Sequence, residues 1–565
     1  MNIRSFDPSS SNVVTAPHGA RAHRDHVAHG DVIRHEWYRV RQGVWCLVGN
    51  GLSNQTFVEG PQGIIAIDTG ESREEMREAL RQLRNETETP VVAVIYTHFH
   101  YVEGTEEIFA EAGRALPVYG HERIVPNRRR IADEIGPAYS RGLVEQFGVS
   151  LPEEGPDALV NVGLGWSFRN PAHAPFTRGF VAPDHTFTTT AVLQIAGLTV
   201  EVTPAPSDAD DSVTLWFPDL SVCVHNIVWP VLFNIFAIRG EEYRDARLLL
   251  RGIDHLIGLG AEHLVGTHGP PISGADDVRR RATRSRDAIA FLWDQTVRGI
   301  NKGWSTDRLA AEVRLPDLYD DDHLTSERYG VAEHHVRQIH NGRRGWFDGD
   351  PAKLFPLPPV ERAERLIAGF GGREQVAAQA DAAFDGDDLR WAAELATWLV
   401  TADGDQADRN RLATVLRAIG QRSPAANIRN WCITRARDLE GTAPLDRHRQ
   451  HRFRRADVEA DPLRSVATLR VMLDPGRAAT ADVHLRLIVA GHGVAGLHLR
   501  NGVAVPTDGG TASLELTVDA AGWAALVTAG ATCARLVDDG HASVVGGTAA
   551  DIDSLLRCFD LPEPA

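Results

Sequence analysis

The stretch PVVAVIYTHFHYVEGT, residues 90–105, decides the fold class. Its first half, Val91 to Ile95, is an apolar run of strand length rich in β-branched residues, the pattern of a strand buried on both faces. His98 and His100 follow, one residue apart, where that run ends. Imidazoles at i and i+2 converge on one point only where the backbone turns out of a strand. The pair therefore marks a candidate metal site at a strand's carboxyl end. Neutral imidazole suits zinc and the later first-row metals, and carboxylates add affinity and charge balance. Alone the HxH pair is weak evidence, because surface and core histidines give the same spacing. The neighbouring segments strengthen it.

Just upstream, GIIAIDTG (63–70) reads as a second short buried strand ending in Asp68, and ESREEMREALRQLRNE (71–86) as a charged helix. Strand, helix, strand, with the histidines at the carboxyl end, is an α/β layer with a site at its edge. YRVRQGVWCLVG (38–49) and NQTFVEG (54–60) flank a turn before it. TVEVTPAP (199–206), SVTLWFPD (212–219) and LSVCVHNI (220–227) add strands after it. An acidic turn, PSDADDS (206–212), His225 in VHN and His268 in GTHGPP all close apolar runs of the same layer.

The whole chain bounds the reading. A length of 565 residues implies two to four domains. Net charge of −17 argues against a nucleic-acid or anionic-membrane partner. The five cysteines lack CxxC spacing and read as small buried hydrophobes. No signal-peptide pattern and no 18-residue apolar run occurs, so a soluble cytoplasmic protein without a membrane span is expected.

Residues 1–30, polar and rich in Ser, Pro and Arg, predict a mobile arm in which His18, His23, His26 and His29 are solvated. From about 275 to 440 the apolar spacing is helical, as in RDAIAFLWDQTVRGINKG (286–303) and DDLRWAAELATWLVTADG (387–404). An Arg-rich polar stretch over 441–460 reads as an exposed linker. Strand patterns return in ADVHLRLIVAG, AGLHLRNGVAV and TASLELTVDAAGWAALV, before a helical end at DIDSLLRCFD. The expected units are the arm (1–30), an α/β domain (31–295), a helical domain (296–440), the linker and an α+β domain (461–565).

The order of these motifs resembles the alkylsulfatase branch of the metallo-β-lactamase fold, the type that cleaves linear alkyl sulfates. The resemblance rests on GLSNQTFVEGPQGIIAIDTG, AIRGEEYRDA, ERYGVAEHHVRQIHNGRRGWFDGDPAKL, DDLRWAAELATWLVTAD and LHLRNGVAV with its sequel. It implies an αββα sandwich, then an all-α dimerisation domain, then a sterol-carrier-like α+β domain, and a homodimer. The helical segments carry Trp293, Trp391, Trp398 and Trp431, which serve either an intramolecular core or that dimer.

The resemblance also implies the ligands, and here the chain departs from the family. The family motif is His-x-His-x-Asp-His. This chain has Val102 at the Asp position and Glu103 at the last His. Asp208 falls at the third ligand of the first metal, with Asp211 as the other register. His225 replaces the carboxylate that bridges two metals, and His268 matches the late histidine. By this analogy one site is His98, His100 and Asp208, and the other Glu103, His225 and His268, with Glu103, His225 and Arg239 as catalytic groups. Arg239 matches the family's sulfate-binding arginine. Arg244 either assists it or is a charge on a helix surface. Tyr101, Phe99, Trp166 and Phe168 line an apolar pocket or simply fill core.

The implied cofactor is one or two divalent transition metals, zinc by resemblance, with iron or manganese compatible with two histidines and a carboxylate. Three functional expectations follow. The first is a metallohydrolase of a small amphiphilic or anionic substrate, weak on ordinary alkyl sulfates. The second is an iron-dependent oxidative enzyme. The third is a non-catalytic amphiphile carrier, against which the retained HxH pair counts.

Overall fold

The computed structural model describes residue 7 and residues 9–446 and 452–562. These form two compact units. One comprises the chain up to 128 together with 142–444; the other comprises 129–141 together with 445 onward.

In the first unit two sheets face each other. One has seven strands, in the order Glu36–Arg41, Val44–Val48, Gln55–Gly60, Gly63–Ile67, Val91–Ile95, Val118–His121, His185–Phe187. Its first pairs are antiparallel and its last three are parallel. The other has six, from Ala191–Ile195 through Leu198–Pro204, Val213–Phe217, Val222–His225 and His263–Gly266 to Ile272–Ser273. The alternate faces explain the packing. Ile65, Ile67 and Ile95 of one sheet share a core with Val200, Val213, Val224 and Val265 of the other. Each such side chain contributes about 1.5–3 kcal/mol on burial. Cys223 and Leu264 point the opposite way, onto Leu249, Ile253 and Leu256 of the helix Ala246–Gly258. Helices thus cover the sheets from outside, giving the αββα sandwich.

Helices follow from Thr306–Glu312 to Ala426–Leu439. The helix Ala275–Asn301 runs through the boundary expected at 295, and both sides lie in one compact unit. Trp391 and Trp398 stack edge to face at 5.5 Å and pack, half-buried, on Ile367, Val376 and Leu395. The second unit is a five-stranded mixed sheet, Val503–Thr507, Gly493–Arg500, Val483–Val489, Leu514–Val518, Ala542–Val545, with helices on a core around Trp523. No helix among the described residues is long and apolar enough to cross a membrane. All five cysteines are free, and four are buried.

Two expectations need correction. The N-terminal arm is ordered from Ser9 onward: Val13–Thr15 pairs with Arg21–His23, and the helix Arg24–His29 follows. His26 and His29 are buried, not solvated, because each imidazole finds a partner: His26 Nε2 meets Asn161 Oδ1 at 3.1 Å and His29 Nε2 meets the Gly163 carbonyl at 2.7 Å. His23 is buried too, and His18 Nε2 reaches the Leu159 carbonyl at 2.7 Å. The linker is likewise partly structured. Residues 447–451 of it lie outside the described residues, but Arg455–Ala460 is a helix, and Phe453 and Val458 pack on the second unit's core.

Candidate metal centre

The site forms where strand ends and their loops meet. Asp68 follows Ile67 in the left-handed conformation, φ 55°, which costs a non-glycine residue about 1–2 kcal/mol. Its carboxylate offsets this locally. Oδ1 accepts from the Thr97 N–H at 2.8 Å and Oδ2 from the Thr97 hydroxyl at 2.7 Å. The Thr97 oxygen also lies 2.9 Å from His98 Nδ1, and Asn226 Nδ2 lies 3.2 Å from the same nitrogen. These contacts hold the ring so that His98 Nε2, buried and without a hydrogen-bond partner, faces Asp208 Oδ2 at 3.5 Å.

His100 Nδ1 lies 3.1 Å from the same Asp208 oxygen. Its Nε2 has no hydrogen-bond partner and lies 3.6 Å from Glu241 Oε2. The other Asp208 oxygen accepts from Asn226 Nδ2 at 2.5 Å, and Asn226 Oδ1 accepts from Trp229 Nε1 at 3.1 Å. Beyond Tyr101 and Val102 the chain must pass close under Thr69. A Cβ on Gly104 would sit 2.1 Å from the Thr69 carbonyl oxygen, so only glycine fits there.

His98, His100 and Asp208 offer ligand atoms within 4.8 Å of one another, and they are the one such group of three among the described residues. The donor set fits a divalent transition metal: a buried and a partly buried imidazole, each with an Nε2 that lacks a hydrogen-bond partner, and a buried carboxylate. The electrostatics agree. Burial works to raise the Asp208 carboxyl, but His98 and His100 override it and hold it well below the usual range. Burial works to lower His98, but Asp208 and Asp68 hold it above its ordinary value. Asp211, the other register, is buried with neither oxygen hydrogen-bonded, and burial pushes it up to about 6.

The second expected set, Glu103 with His225 and His268, does not come together as three ligands. Glu103 Oε1 accepts from Arg128 Nη2 at 2.6 Å. His225 Nδ1 accepts from the Ile227 and Val228 N–H groups at 3.1 and 3.3 Å. His268 Nδ1 donates to the Leu52 carbonyl at 2.9 Å, and its Nε2 faces the Tyr101 hydroxyl at 3.3 Å. Burial lowers His225 to about 3 and His268 to about 4, so both rings are neutral.

Arg239 donates to Glu241 Oε2 at 2.8 Å, with both side chains buried. Burial works to raise Glu241, but Arg239 and His100 hold it down to about 2. Arg244 is no surface charge. It is 4% exposed, donates from Nη1 to the Asn234 carbonyl at 2.7 Å, and its Nε and Nη2 have no hydrogen-bond partner. Phe99 is buried with its ring 4.1 Å from that of His100, Phe168 stacks on Phe147 at 4.9 Å, and Trp166 is exposed. Sequence reasoning missed Glu241, whose only signal is its place two residues after Arg239. It also missed Glu71, directly after DTG, whose buried Oε2 has no hydrogen-bond partner; burial and Glu75 push its carboxyl well up.

Comparison with known proteins places this architecture. The alkyl sulfatase dimerisation family model matches residues 305–442, and the metallo-beta-lactamase superfamily model matches 48–101. A linear primary-alkylsulfatase of Pseudomonas sp. is 33% identical over 527 residues, 90% of this chain and 98% of the relative. An (R)-specific secondary-alkylsulfatase of Pseudomonas sp. is 30% identical over 478 residues, 80% of this chain and 69% of that one. An alkyl/aryl-sulfatase of Saccharomyces cerevisiae is 28% identical over 435 residues, 73% of this chain and 65% of that one. A solved double mutant of the sec-alkyl sulfatase PisA1 superposes with a TM-score of 0.83 at 26% identity, over 96% of this chain and 87% of that one. With one-third identity along nine-tenths of its length, and the same sandwich, helical domain and C-terminal sheet in the same order, the chain belongs to the alkylsulfatase family of the metallo-β-lactamase superfamily, a family of metallohydrolases.

Proposed function

We propose that this protein is a metal-dependent hydrolase of a small amphiphilic, anionic ester, with weakened action on ordinary linear alkyl sulfates. The observation that carries this reading is the convergence of His98, His100 and Asp208, with Thr97 and Asn226 holding the His98 ring in place. A bound metal supplies an acidified water and a Lewis acid for the ester oxygen. The remaining work falls to the chain's own groups. Asp208 balances charge, Asn226 orients Asp208, and Arg244 offers two idle guanidinium nitrogens to an anionic group.

The weakening has a physical source in Glu241. Arg239, by resemblance the sulfate-binding residue, is already paired with that buried carboxylate. A sulfate must displace Glu241 or bind beside a like charge, either of which opposes it. Losing one preorganised electrostatic contact of this kind costs about 10²–10³ in rate. The test is sulfate release from decyl and dodecyl sulfate, beside carboxylic and phosphate esters of the same chain length, by zinc-loaded protein and by the His98→Ala, His100→Ala variant. The reading expects metal-dependent turnover on at least one ester class, slow on alkyl sulfates and absent in the variant. Turnover that survives the double variant overturns it.

A second reading, oxidative chemistry at iron, is supported by the same ligand triad, since two histidines and one carboxylate also suit non-haem iron(II). Oxygen uptake by anaerobically iron-loaded protein, without ester turnover on zinc, would favour it.

A further inference from the structure

We infer that this centre holds a single metal ion per chain, and that the Tyr101 side chain takes the place a second ion would need. The inference rests on the metal-dependent reading above and adds the metal count. The family resemblance implies a second ion held by residues at positions 102, 103, 225 and 268. In this chain each has another commitment.

Val102 has no donor, is fully buried, and is held against Gly70 by a strand-like bridge. Glu103 is turned onto Arg128, which leaves one carboxylate oxygen idle beside a cation. His225 fails for a reason of tautomer. Its Nδ1 faces two backbone N–H donors and must carry the lone pair. The neutral ring then carries its proton on Nε2, which leaves no nitrogen to bind a cation. His268 has the opposite tautomer, with Nδ1–H on the Leu52 carbonyl, so Nε2 is its one possible ligand atom. That atom faces the Tyr101 hydroxyl.

Tyr101 closes the space itself. Its ring centroid lies 5.1 Å from that of His98, 5.9 Å from His100 and 5.3 Å from His268. The ring therefore packs against both histidines of the metal triad and against the one histidine of the second set with a usable lone pair. The side chain is 4% exposed, so it does not lie loosely over the site. A buried aromatic in that position excludes the ion sterically, while its hydroxyl satisfies the imidazole that would otherwise bind it.

The test is metal content of full-length protein titrated with zinc or manganese and then desalted, for wild type, His268→Ala and His268→Gln, with manganese electron paramagnetic resonance as a second readout. Thermal melts check folding, and the wild-type count stands independently of either variant. One equivalent in all three, with an uncoupled manganese signal, is the expected result. Two equivalents in wild type, an exchange-coupled signal, or a folded His268 variant that loses an equivalent would overturn the single-ion inference and leave the metal-dependent reading standing. No bound metal in wild type would overturn both.

Discussion

At the residue scale, the candidate centre is a chain of polar contacts that orients one ring nitrogen. Asp68 holds Thr97, Thr97 and Asn226 meet His98 Nδ1, and His98 Nε2 is left facing Asp208. Replacing His98 and His100 together by Ala should reduce bound metal from one equivalent to none while the melting transition persists, because both sheets keep their core. Elemental analysis beside calorimetry checks this. Thr97→Val should be subtler. It removes the hydroxyl that links Asp68 to the His98 ring, so metal affinity should fall about 10–100-fold, the usual cost of losing a group that orients a ligand, with the fold intact. Glu241→Gln is the complementary case. It removes the buried carboxylate charge that Glu241 sets against an incoming anion at Arg239, so inorganic sulfate should bind at least about tenfold more tightly, in line with about 1.5–3 kcal/mol for a charge-assisted hydrogen bond. Equal sulfate affinities by titration calorimetry in wild type and variant would mean that Glu241 does not compete for the anion. His98 and His100 were legible in the sequence because they close an apolar run, and Asp208 only through the register of the family resemblance, with Asp211 left as the other choice. Glu241 was not, because its meaning depends on the loop after Arg239 folding back towards His100. Nor was the His225 tautomer, which is set by two backbone N–H groups and by nothing in the side-chain pattern.

At the scale of elements, the strands were legible because β-branched apolar runs have few alternatives. The N-terminal segment was not, because its order comes from partners over a hundred residues away. His18, His26 and His29 reach atoms of residues 159–163, and Arg429 Nη2 donates to the Arg21 and Ala158 carbonyls at 3.1 and 2.9 Å. That arrangement predicts a pH dependence. Burial lowers His29 from 6.5 to about 4. The unfolded segment then takes up a proton between those values while the folded one does not. Stability is full above pH 6.5 and falls as the pH drops towards 4. A shift of this size corresponds to about 3 kcal/mol at most for one imidazole, and the buried His26 adds in the same direction. The protection factors of residues 13–30, each taken against the intrinsic exchange rate at its own pH, should therefore fall between pH 6.5 and 4.5 before those of the sheets. Protection factors that are flat over that window would show that the segment is held by its backbone pairing and Arg429 alone.

At the scale of the whole molecule, family membership and the order of the three folded parts were readable from motif order. The division into compact units was not, because residues 129–141 lie in the sandwich part of the sequence yet group with the C-terminal unit. The dimerisation family model covers 305–442, and within that span Trp346 and Phe355 are 67% and 93% exposed. Apolar side chains that open to water are expected to meet a second copy. Light scattering at micromolar concentration should give twice the 61.8 kDa chain mass, and Trp346→Ser with Phe355→Ser should lower it towards one chain. A single-chain mass for wild type would remove the dimer. The account's central claim is the metal triad, and anomalous X-ray diffraction from crystals grown with zinc, recorded at the zinc edge, tests it most directly. The account predicts one anomalous peak per chain within about 2.0–2.2 Å of His98 Nε2, a His100 nitrogen and an Asp208 oxygen. Crystals with no peak at that position, or with their peak at another group of residues, would contradict it.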